Sequence, residues 1–225
     1  MSEPVSLPPL LWELMQRLLH TRWSEMSASE QDMLFSFYSL RLNARALTEL
    51  PGWLEMLQHL KKLHIAYNRL IEFPESLPPS LEALDLRYNQ LTSLPESLGS
   101  LSSLRSLRLL DLSNNRLTSL PESIGSLPSL ERLYLCDNRL TTLPESLGSL
   151  TSLQELHLGD NRLESLPESL GSLRLLQTLD LSWNQLESLP SSFDGLHLFP
   201  GLEWVDLTGN KIAETPIRRG CEVLI

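Results

Sequence analysis

Leucines recur along most of the chain at fixed intervals, and polar residues fill the positions between them. Aligning the sequence on the pattern LxxLxLxxNxL gives eight copies, which begin at Phe37, Leu60, Leu81, Leu107, Leu130, Leu153, Leu176 and Leu202. Seven copies carry asparagine at the ninth position, and every copy has a proline in the segment that follows. Self-similarity at such a period is the signature of a solenoid of stacked repeats.

The short LxL alternation inside each copy predicts a β-strand, because successive side chains of a strand point to opposite faces. One copy cannot bury its own leucines, so the strands must stack in parallel around a shared core. The asparagine amide is expected to bond backbone groups where the chain turns. The proline predicts a short helix or 3₁₀ segment, with the glutamate behind it in a capping role. Four glycines are placed to end that segment: Gly99, Gly125, Gly148 and Gly171.

These motifs resemble the leucine-rich-repeat superfamily, and the 23-residue unit with LPxxLGxL is similar to its intracellular type. The shorter copy FPESLPPSLEALDLRYNQLTSLP is similar to repeats of secreted bacterial effectors, including those fused to a ubiquitin-ligase domain. The resemblance implies an α/β solenoid, a leucine-rich-repeat horseshoe with a parallel concave sheet and an N-terminal helical cap.

Solenoid ends expose apolar faces that need covering. We therefore predict an N-terminal helical cap at 1–36, eight repeats at 37–216 and a C-terminal cap or tail at 217–225. Leucines at helical spacing between Leu10 and Leu19 predict one cap helix, and Ser29 with Asp32 marks the start of a second. The last apolar residues, Val223, Leu224 and Ile225, are expected to seal the final strand.

Composition narrows the functional classes. The net charge of −10 argues against nucleic acid, whose binders need clustered lysine and arginine, and favours a monomer that repels its own copies. No stretch of the sequence is apolar for long enough to predict a membrane span. Cys136 and Cys221 lack the spacing of a disulfide framework or zinc site. We expect a cytoplasmic location, with secretion into a host cell as the alternative.

Specificity is expected on the concave face, where we assume that the fold requires no particular side chain. Concave positions are net basic in the first three copies and net acidic in the last four. Exposed tyrosine and tryptophan are typical interface anchors. The predicted partner-binding residues are Tyr67, Tyr88, Asp111, Tyr134, Asp137, His157, Asp160, Asp180, Trp183, Trp204 and Asp206. The predicted partner is a protein with a basic segment; an ordinary solvated face is the alternative interpretation.

Catalytic and metal-binding hypotheses have less support in the sequence. His157 is predicted to neighbour Tyr134 and Asp180, but no nucleophile accompanies it in a recognisable motif. Two stacked carboxylates are too few ligands for a calcium site. An acidic neighbour argues against a reactive thiolate at Cys136. We therefore expect neither an enzyme nor a cofactor or metal.

Three functions remain open at this stage. The first is an intracellular scaffold, adaptor or inhibitor that binds another protein on the concave face. The second is the substrate-recognition module of a secreted bacterial effector of the ligase type. The third is a solenoid that senses a small ligand or carbohydrate through its aromatic residues, although an open face offers no deep pocket for one.

Overall fold

The computed structural model describes residue 21 and residues 23–74, 77–101, 104–193, 201–213 and 222–224. Within these residues, nine three-residue strands form one parallel sheet whose spatial order follows the chain. Their bounds are β1 Ser39–Arg41, β2 Lys62–His64, β3 Ala83–Asp85, β4 Leu109–Asp111, β5 Arg132–Tyr134, β6 Glu155–His157, β7 Thr178–Asp180, β8 Trp204–Asp206 and β9 Glu222–Leu224. The predicted solenoid with a parallel sheet is confirmed.

The middle residue of each strand carries the core. Leu133, for example, is fully buried and pairs in register with Leu110 and Leu156 of the adjacent strands. Leucines on both sides of the strand extend this stack into one continuous cluster along the repeats. Because alternate strand residues point to opposite faces, the residues flanking the middle leucine lie on the open face of the sheet.

Short 3₁₀ helices form the segments that return from one strand to the next. They span Gly52–Met56, Leu98–Ser100, Glu122–Ser126, Glu145–Ser149, Glu168–Ser172 and Ser191–Phe193. Most of them begin directly after a proline, whose extended backbone precedes the first turn. The prediction that proline begins a short 3₁₀ segment is confirmed.

The prediction that the glycines end these segments is wrong. Gly148 lies inside Glu145–Ser149, and its backbone is outside the left-handed region. A β-carbon on Gly148 would overlap Ser169 of the following repeat, and one on Gly171 would lie 2.6 Å from the Ser192 β-carbon. Glycine is required here because neighbouring 3₁₀ helices pack too closely for a side chain.

The glutamates that follow the prolines cap backbone N–H groups, as predicted. These N–H groups belong to the next repeat, however, and not to the 3₁₀ helix that contains the glutamate. The Glu145 carboxylate accepts a hydrogen bond of 3.2 Å from the Ser169 N–H. Glu168 accepts bonds of 3.0 Å and 2.9 Å from the N–H groups of Ser191 and Ser192. Glu122, Glu145 and Glu168 therefore each tie two adjacent repeats together at their convex side.

A ladder of buried asparagines fixes the turns that follow the strands. The Asn138 side-chain oxygen accepts a 3.0 Å bond from the Leu117 N–H of the preceding repeat. Its NH₂ group donates to the carbonyls of Leu112 and Leu135, both at 3.0 Å. The predicted role of the amide is confirmed, and the same set of bonds recurs at Asn68, Asn89, Asn115, Asn161 and Asn184.

Among the described residues before β1, one α-helix is present, α1 Ala28–Phe35. Its capping box consists of Ser27 and Glu30, so the predicted start at Ser29 is wrong by two residues. Leu34 of α1 is buried in the core and covers its first end. The helix predicted around Leu10–Leu19 lies outside the described residues. No helix in the described part of the chain combines the length and apolarity that crossing a membrane demands.

The last described residues add a strand to the sheet. β9 pairs with β8 in parallel register, with Val223 beside Val205. Val223 packs against the core, whereas Leu224 stays 39% exposed. The tail therefore continues the sheet by one strand, and Ile225 lies outside the described residues.

Candidate functional site: the concave face

Two rows of side chains line the open face. The strand column comprises the third residue of each strand from β1 to β8: Arg41, His64, Asp85, Asp111, Tyr134, His157, Asp180 and Asp206. The turn column lies three residues further along each repeat: Ala44, Tyr67, Tyr88, Asn114, Asp137, Asp160, Trp183 and Gly209. The two columns together contain every predicted partner-binding residue except Trp204, which begins β8.

The turn column has an unusual backbone conformation that the sequence pattern does not predict. All seven of its non-glycine residues have φ between 53° and 58°, in the left-handed region. The next repeat holds each of them there: the N–H groups of Asp137 and Asp160, for instance, donate to the carbonyls of Gly159 and Ser182 at 3.0 Å and 2.9 Å. This conformation leaves Tyr67 57% and Trp183 63% exposed.

Two tyrosines stack at the N-terminal end of the turn column. The rings of Tyr67 and Tyr88 have centroids 4.2 Å apart and planes inclined by 8°. Both remain exposed, at 57% and 41%. The stack forms a small apolar platform on adjacent repeats, N-terminal to the acidic half of the face.

The basic character expected of the first three copies is reduced by ion pairs. The Arg87 guanidinium donates to both oxygens of Asp85 at 3.0 Å and reaches Asp111 at 3.1 Å. His64 lies 3.6 Å from the same Asp85 carboxylate. Lys61 pairs with Glu82 at 3.1 Å.

This network sets the ionisation of its two carboxylates in opposite directions. Burial opposes the charge on Asp85, but hydrogen bonds from His64 and Arg87 outweigh burial and hold its pKa well below the usual range. Burial is also the largest influence on Asp111, and there it raises the pKa despite a bond from Ser113 and the charge of Arg87. The Asp111 carboxylate is therefore already bound within the chain, by the Ser113 N–H and the Arg87 guanidinium.

The assumption that the fold requires no particular residue on this face is wrong for the aspartates of the strand column. The Asp180 Oδ1 atom accepts bonds from the Ser182 N–H at 2.9 Å and hydroxyl at 2.6 Å. Asp206 binds Thr208 in the same way, at 2.8 Å and 2.7 Å. Each of these carboxylates stabilises the turn two residues further on, and only its second oxygen remains for other contacts.

The aspartates of the turn column have fewer hydrogen bonds and ion pairs than the aspartates of the strand column. Asp137 and Asp160 lie on adjacent repeats and are both exposed, and neither side chain has a hydrogen bond or ion pair within the described residues. Partial burial and the charges of Asp137 and Asp180 raise the pKa of Asp160. These aspartates line an open groove with Asn115, Asn138, Arg139, Asn161, Arg162 and Trp183.

Trp183 forms one end of this groove. Its indole lies directly over Gly209 of the next repeat, where a β-carbon would come within 2.8 Å of the ring carbon Cδ2. Gly209 thus provides the space that lets the indole lie along the face while remaining exposed. Trp204, on the first position of β8, is partly buried.

A cluster of different chemistry lies in the middle of the acidic half. His157 packs edge-on against Tyr134, with centroids 4.8 Å apart, and pairs in register with Asp180, as predicted. The Cys136 sulfur lies 3.8 Å from the Asp180 Oδ2 atom. The ligand atoms of Cys136, His157 and Asp180 all fall within 4.8 Å of one another. Sequence reasoning missed this meeting because Cys136 sits two residues beyond the strand column of its repeat.

The Cys136 thiol is a poor nucleophile in this environment. Burial is the main cause that raises its pKa to about 12, and the negative charge of Asp180 adds to it. A thiolate is therefore scarce at neutral pH. No hydrogen bond joins His157 to Cys136 in the described part of the chain, so the imidazole is not placed to remove the thiol proton.

The parallel sheet, the asparagine ladder and the open face define the class: a repeat protein that presents a binding surface on a rigid solenoid. The leucine-rich-repeat family model matches residues 58–109, 105–163 and 151–212. Because these matches cover more than half of the chain, the protein belongs to the leucine-rich-repeat family, whose members are generally protein-binding scaffolds.

One solved structure extends this assignment. A leucine-rich-repeat protein of Leptospira interrogans is similar to this chain, with a TM-score of 0.79 and 34% sequence identity. The match covers 87% of this chain and 51% of that one, so this chain spans about half the length of the protein it matches. A comparison with curated proteins finds no match.

Proposed function

We propose that this protein captures a basic segment of another protein on the C-terminal half of its concave face. The observation that carries the proposal is the juxtaposition of Asp137 and Asp160, two exposed carboxylates without a cationic partner among the described residues, with the exposed indole of Trp183. An exposed tryptophan is a typical interface anchor, and the carboxylates beside it give charge complementarity to a basic partner.

The electrostatics explain why a cation is the preferred occupant. Partial burial and then the charges of Asp137 and Asp180 raise the pKa of Asp160, so a lysine or arginine between these carboxylates relieves repulsion that the free protein retains. The Trp183 ring adds a cation–π surface beside them. Binding of this kind strengthens at low ionic strength, because the groove is open to solvent.

The groove also favours one arrangement of charges within the partner. Arg139 and Arg162 line it together with the two aspartates. A segment with basic residues facing the aspartates and polar or acidic residues facing the arginines therefore fits better than a uniformly basic one. This pattern supports recognition of a folded or extended protein segment, and it disfavours a nucleic-acid backbone.

In this proposal the other predicted binding residues form secondary contacts with the partner around the groove. The strand-column residues Asp180, His157 and Tyr134 form the floor beside the groove, and Trp204 and Asp206 continue it toward the last repeat. Asp111 lies at its N-terminal limit, where Arg87 already holds it. Tyr67 and Tyr88 offer a second, apolar contact for a partner long enough to span the face.

The decisive experiment uses synthetic peptides that carry one or two arginines, and calorimetry at two salt concentrations. The double variant Trp183→Ala with Asp160→Ala is expected to weaken binding by about 100-fold or more, the size of effect seen for interface hot spots. The matched control is Tyr38→Ala with Glu164→Ala, which removes one exposed aromatic and one exposed acid outside both columns. Equal affinities of the two double variants would refute the proposal.

Several expectations accompany this proposal. We propose a monomer at a cytoplasmic location, a function without catalysis, and the domain limits 1–36, 37–216 and 217–225. The effector hypothesis rests on the short third repeat, and a secretion assay tests it. The ligand-sensing hypothesis rests on the exposed aromatic residues, and a thermal-shift screen against saccharides tests it.

A further inference from the structure

We propose that Cys136, His157 and Asp180 form a zinc site on the concave face, with three protein ligands and a fourth position open to water. The three residues come from consecutive repeats, and each offers one ligand atom within 4.8 Å of the other two. Thiolate, imidazole and carboxylate are the three ligand types that Zn²⁺ takes in proteins. This proposal departs from the sequence-based expectation of no metal.

The distances require little rearrangement for tetrahedral coordination. Bond lengths of about 2.3 Å to sulfur and about 2.0 Å to oxygen place these two ligands about 3.5 Å apart around zinc. The observed separation of the Cys136 sulfur and Asp180 Oδ2 is 3.8 Å. The ligand atoms lie up to 4.8 Å apart, so the histidine must approach by up to about 1.3 Å.

The surrounding residues already orient the carboxylate. The Ser182 N–H and hydroxyl both bind the Asp180 Oδ1 atom, and this leaves Oδ2 directed at the sulfur. A β-carbon on Gly159 would lie 2.9 Å from Oδ2, so this glycine leaves the carboxylate its space. Outer contacts of this kind hold ligands in position for a metal.

The His157 ring packs against a neighbouring side chain, and its nitrogens remain available for a ligand bond. Tyr134 packs edge-on against its ring, and the Tyr134 hydroxyl donates to Glu155 rather than to the imidazole. Within the described residues the His157 side chain forms no hydrogen bond, so a ring nitrogen is available to a metal. The imidazole of His157, like the carboxylate of Asp180, is therefore placed to bind the ion.

The charges of the neighbourhood favour a divalent cation. Asp180, Asp137 and Asp111 all act electrostatically on Cys136, and no lysine or arginine pairs with the cluster in the described part of the chain. Zinc binding displaces the thiol proton to the buffer and leaves one thiolate, one carboxylate and a neutral imidazole around the ion. The ligand charges then balance those of Zn²⁺.

The test uses Co²⁺ as a spectroscopic probe and then Zn²⁺ as its competitor, on the untagged full chain. Cys221→Ser provides the background, so that Cys136 is the one remaining cysteine of the two in the sequence. We expect one equivalent of Co²⁺ to give a sulfur-to-cobalt charge-transfer band and the intense visible bands of tetrahedral cobalt, both abolished by Zn²⁺. Absence of these bands in the folded protein overturns the proposal.

Variants assign the ligands. Cys136→Ser is expected to abolish the charge-transfer band, and His157→Gln to weaken cobalt binding by more than about 100-fold, beyond the loss typical of outer contacts. Asp180→Asn is compared with Asp206→Asn, which changes the next aspartate of the strand column and removes the same charge. Weakening by the first alone supports the site; equal weakening by both overturns it.

A gentler pair of variants applies if a ligand substitution prevents folding. Ser182→Ala removes the hydroxyl that holds Asp180, and Thr208→Ala removes its counterpart beside Asp206. We expect the first to weaken cobalt binding by about 10-fold to 100-fold and the second to leave it unchanged. Equal affinities of these two variants contradict the proposal. Because metal binding is measured without a partner, its failure leaves the protein-binding proposal intact.

Discussion

Gly148 packs against Ser169 of the following repeat so closely that a single methyl group would overlap the serine. We expect Gly148→Ala to lower the free energy of unfolding by about 1–3 kcal/mol, because the two 3₁₀ helices must separate to accept the methyl group. Gly52→Ala is the matched control, since no atom of the described residues lies within 4 Å of the place that its β-carbon would take. That variant should be neutral or slightly stabilising. Urea unfolding of both proteins measures the difference, and equal losses contradict this packing argument.

The left-handed backbone of the turn column predicts that a glycine substitution there stabilises the protein. Ala44 is exposed and has φ of 55°, a conformation that costs an L-residue about 1–2 kcal/mol. Ala44→Gly removes this strain and adds a smaller loss of chain entropy, so we expect stabilisation of about 0.5–1 kcal/mol. Ala83→Gly, in the extended backbone of β3, should instead destabilise the protein. Thermal unfolding of both variants tests the contrast.

The sequence predicted what the repeats share. The strands, the asparagine bonds and the 3₁₀ segments follow from residues that recur at one position of all or nearly all copies, because stacking imposes the same burial on each copy. The glycines also recur, yet their role was misassigned. Helix termination and close packing both select glycine, and only the distance to the next repeat distinguishes them.

The parts that the sequence did not predict depend on contacts between copies. The left-handed conformation at Tyr67 or Trp183 is imposed by hydrogen bonds that their N–H groups donate to carbonyls of the next repeat, since neither residue type favours it. The meeting of Cys136 with His157 and Asp180 requires residues from three repeats and two different columns. A periodic pattern gives positions within a repeat, whereas a site of this kind depends on distances across several repeats.

Two adjacent asparagines test the ladder. Asn115 is buried and bonds Leu91, Leu86 and Leu112 at 2.9–3.0 Å, whereas Asn114 of the turn column is only half-buried and its side chain forms no hydrogen bond within the described residues. Asn115→Ala leaves several buried backbone groups without a partner, and each such loss costs about 1–3 kcal/mol. We therefore expect it to lower stability by at least about 3 kcal/mol. Asn114→Ala should lower it by less than about 1 kcal/mol, and comparable losses would show that the ladder contributes little.

The network around Arg87 predicts a pH dependence that separates its two carboxylates. His64, Arg87 and Asp111 face the Asp85 carboxylate, and the pKa of Asp85 is lowered. A carboxyl with a lowered pKa contributes stability above its unfolded value, near pH 4, and loses this contribution as the pH falls. Asp85→Asn should therefore destabilise the protein at pH 7 by at least about 1.5 kcal/mol, the contribution of one bond to a charged group, and by a smaller amount at pH 3, where this contribution has begun to fall.

Asp111 provides the control within the same network, because burial raises its pKa. The contribution of such a carboxyl is present below its unfolded pKa and is lost as the pH rises through the folded value. The difference in unfolding free energy between Asp111→Asn and the parent should thus become more favourable to the variant from pH 3 to pH 7, opposite to the trend for Asp85→Asn. Urea unfolding of the three proteins at both pH values measures these trends. If both variants follow the same trend, Arg87 does not distinguish the two carboxylates, and the ion-pair network we describe is not what sets their ionisation.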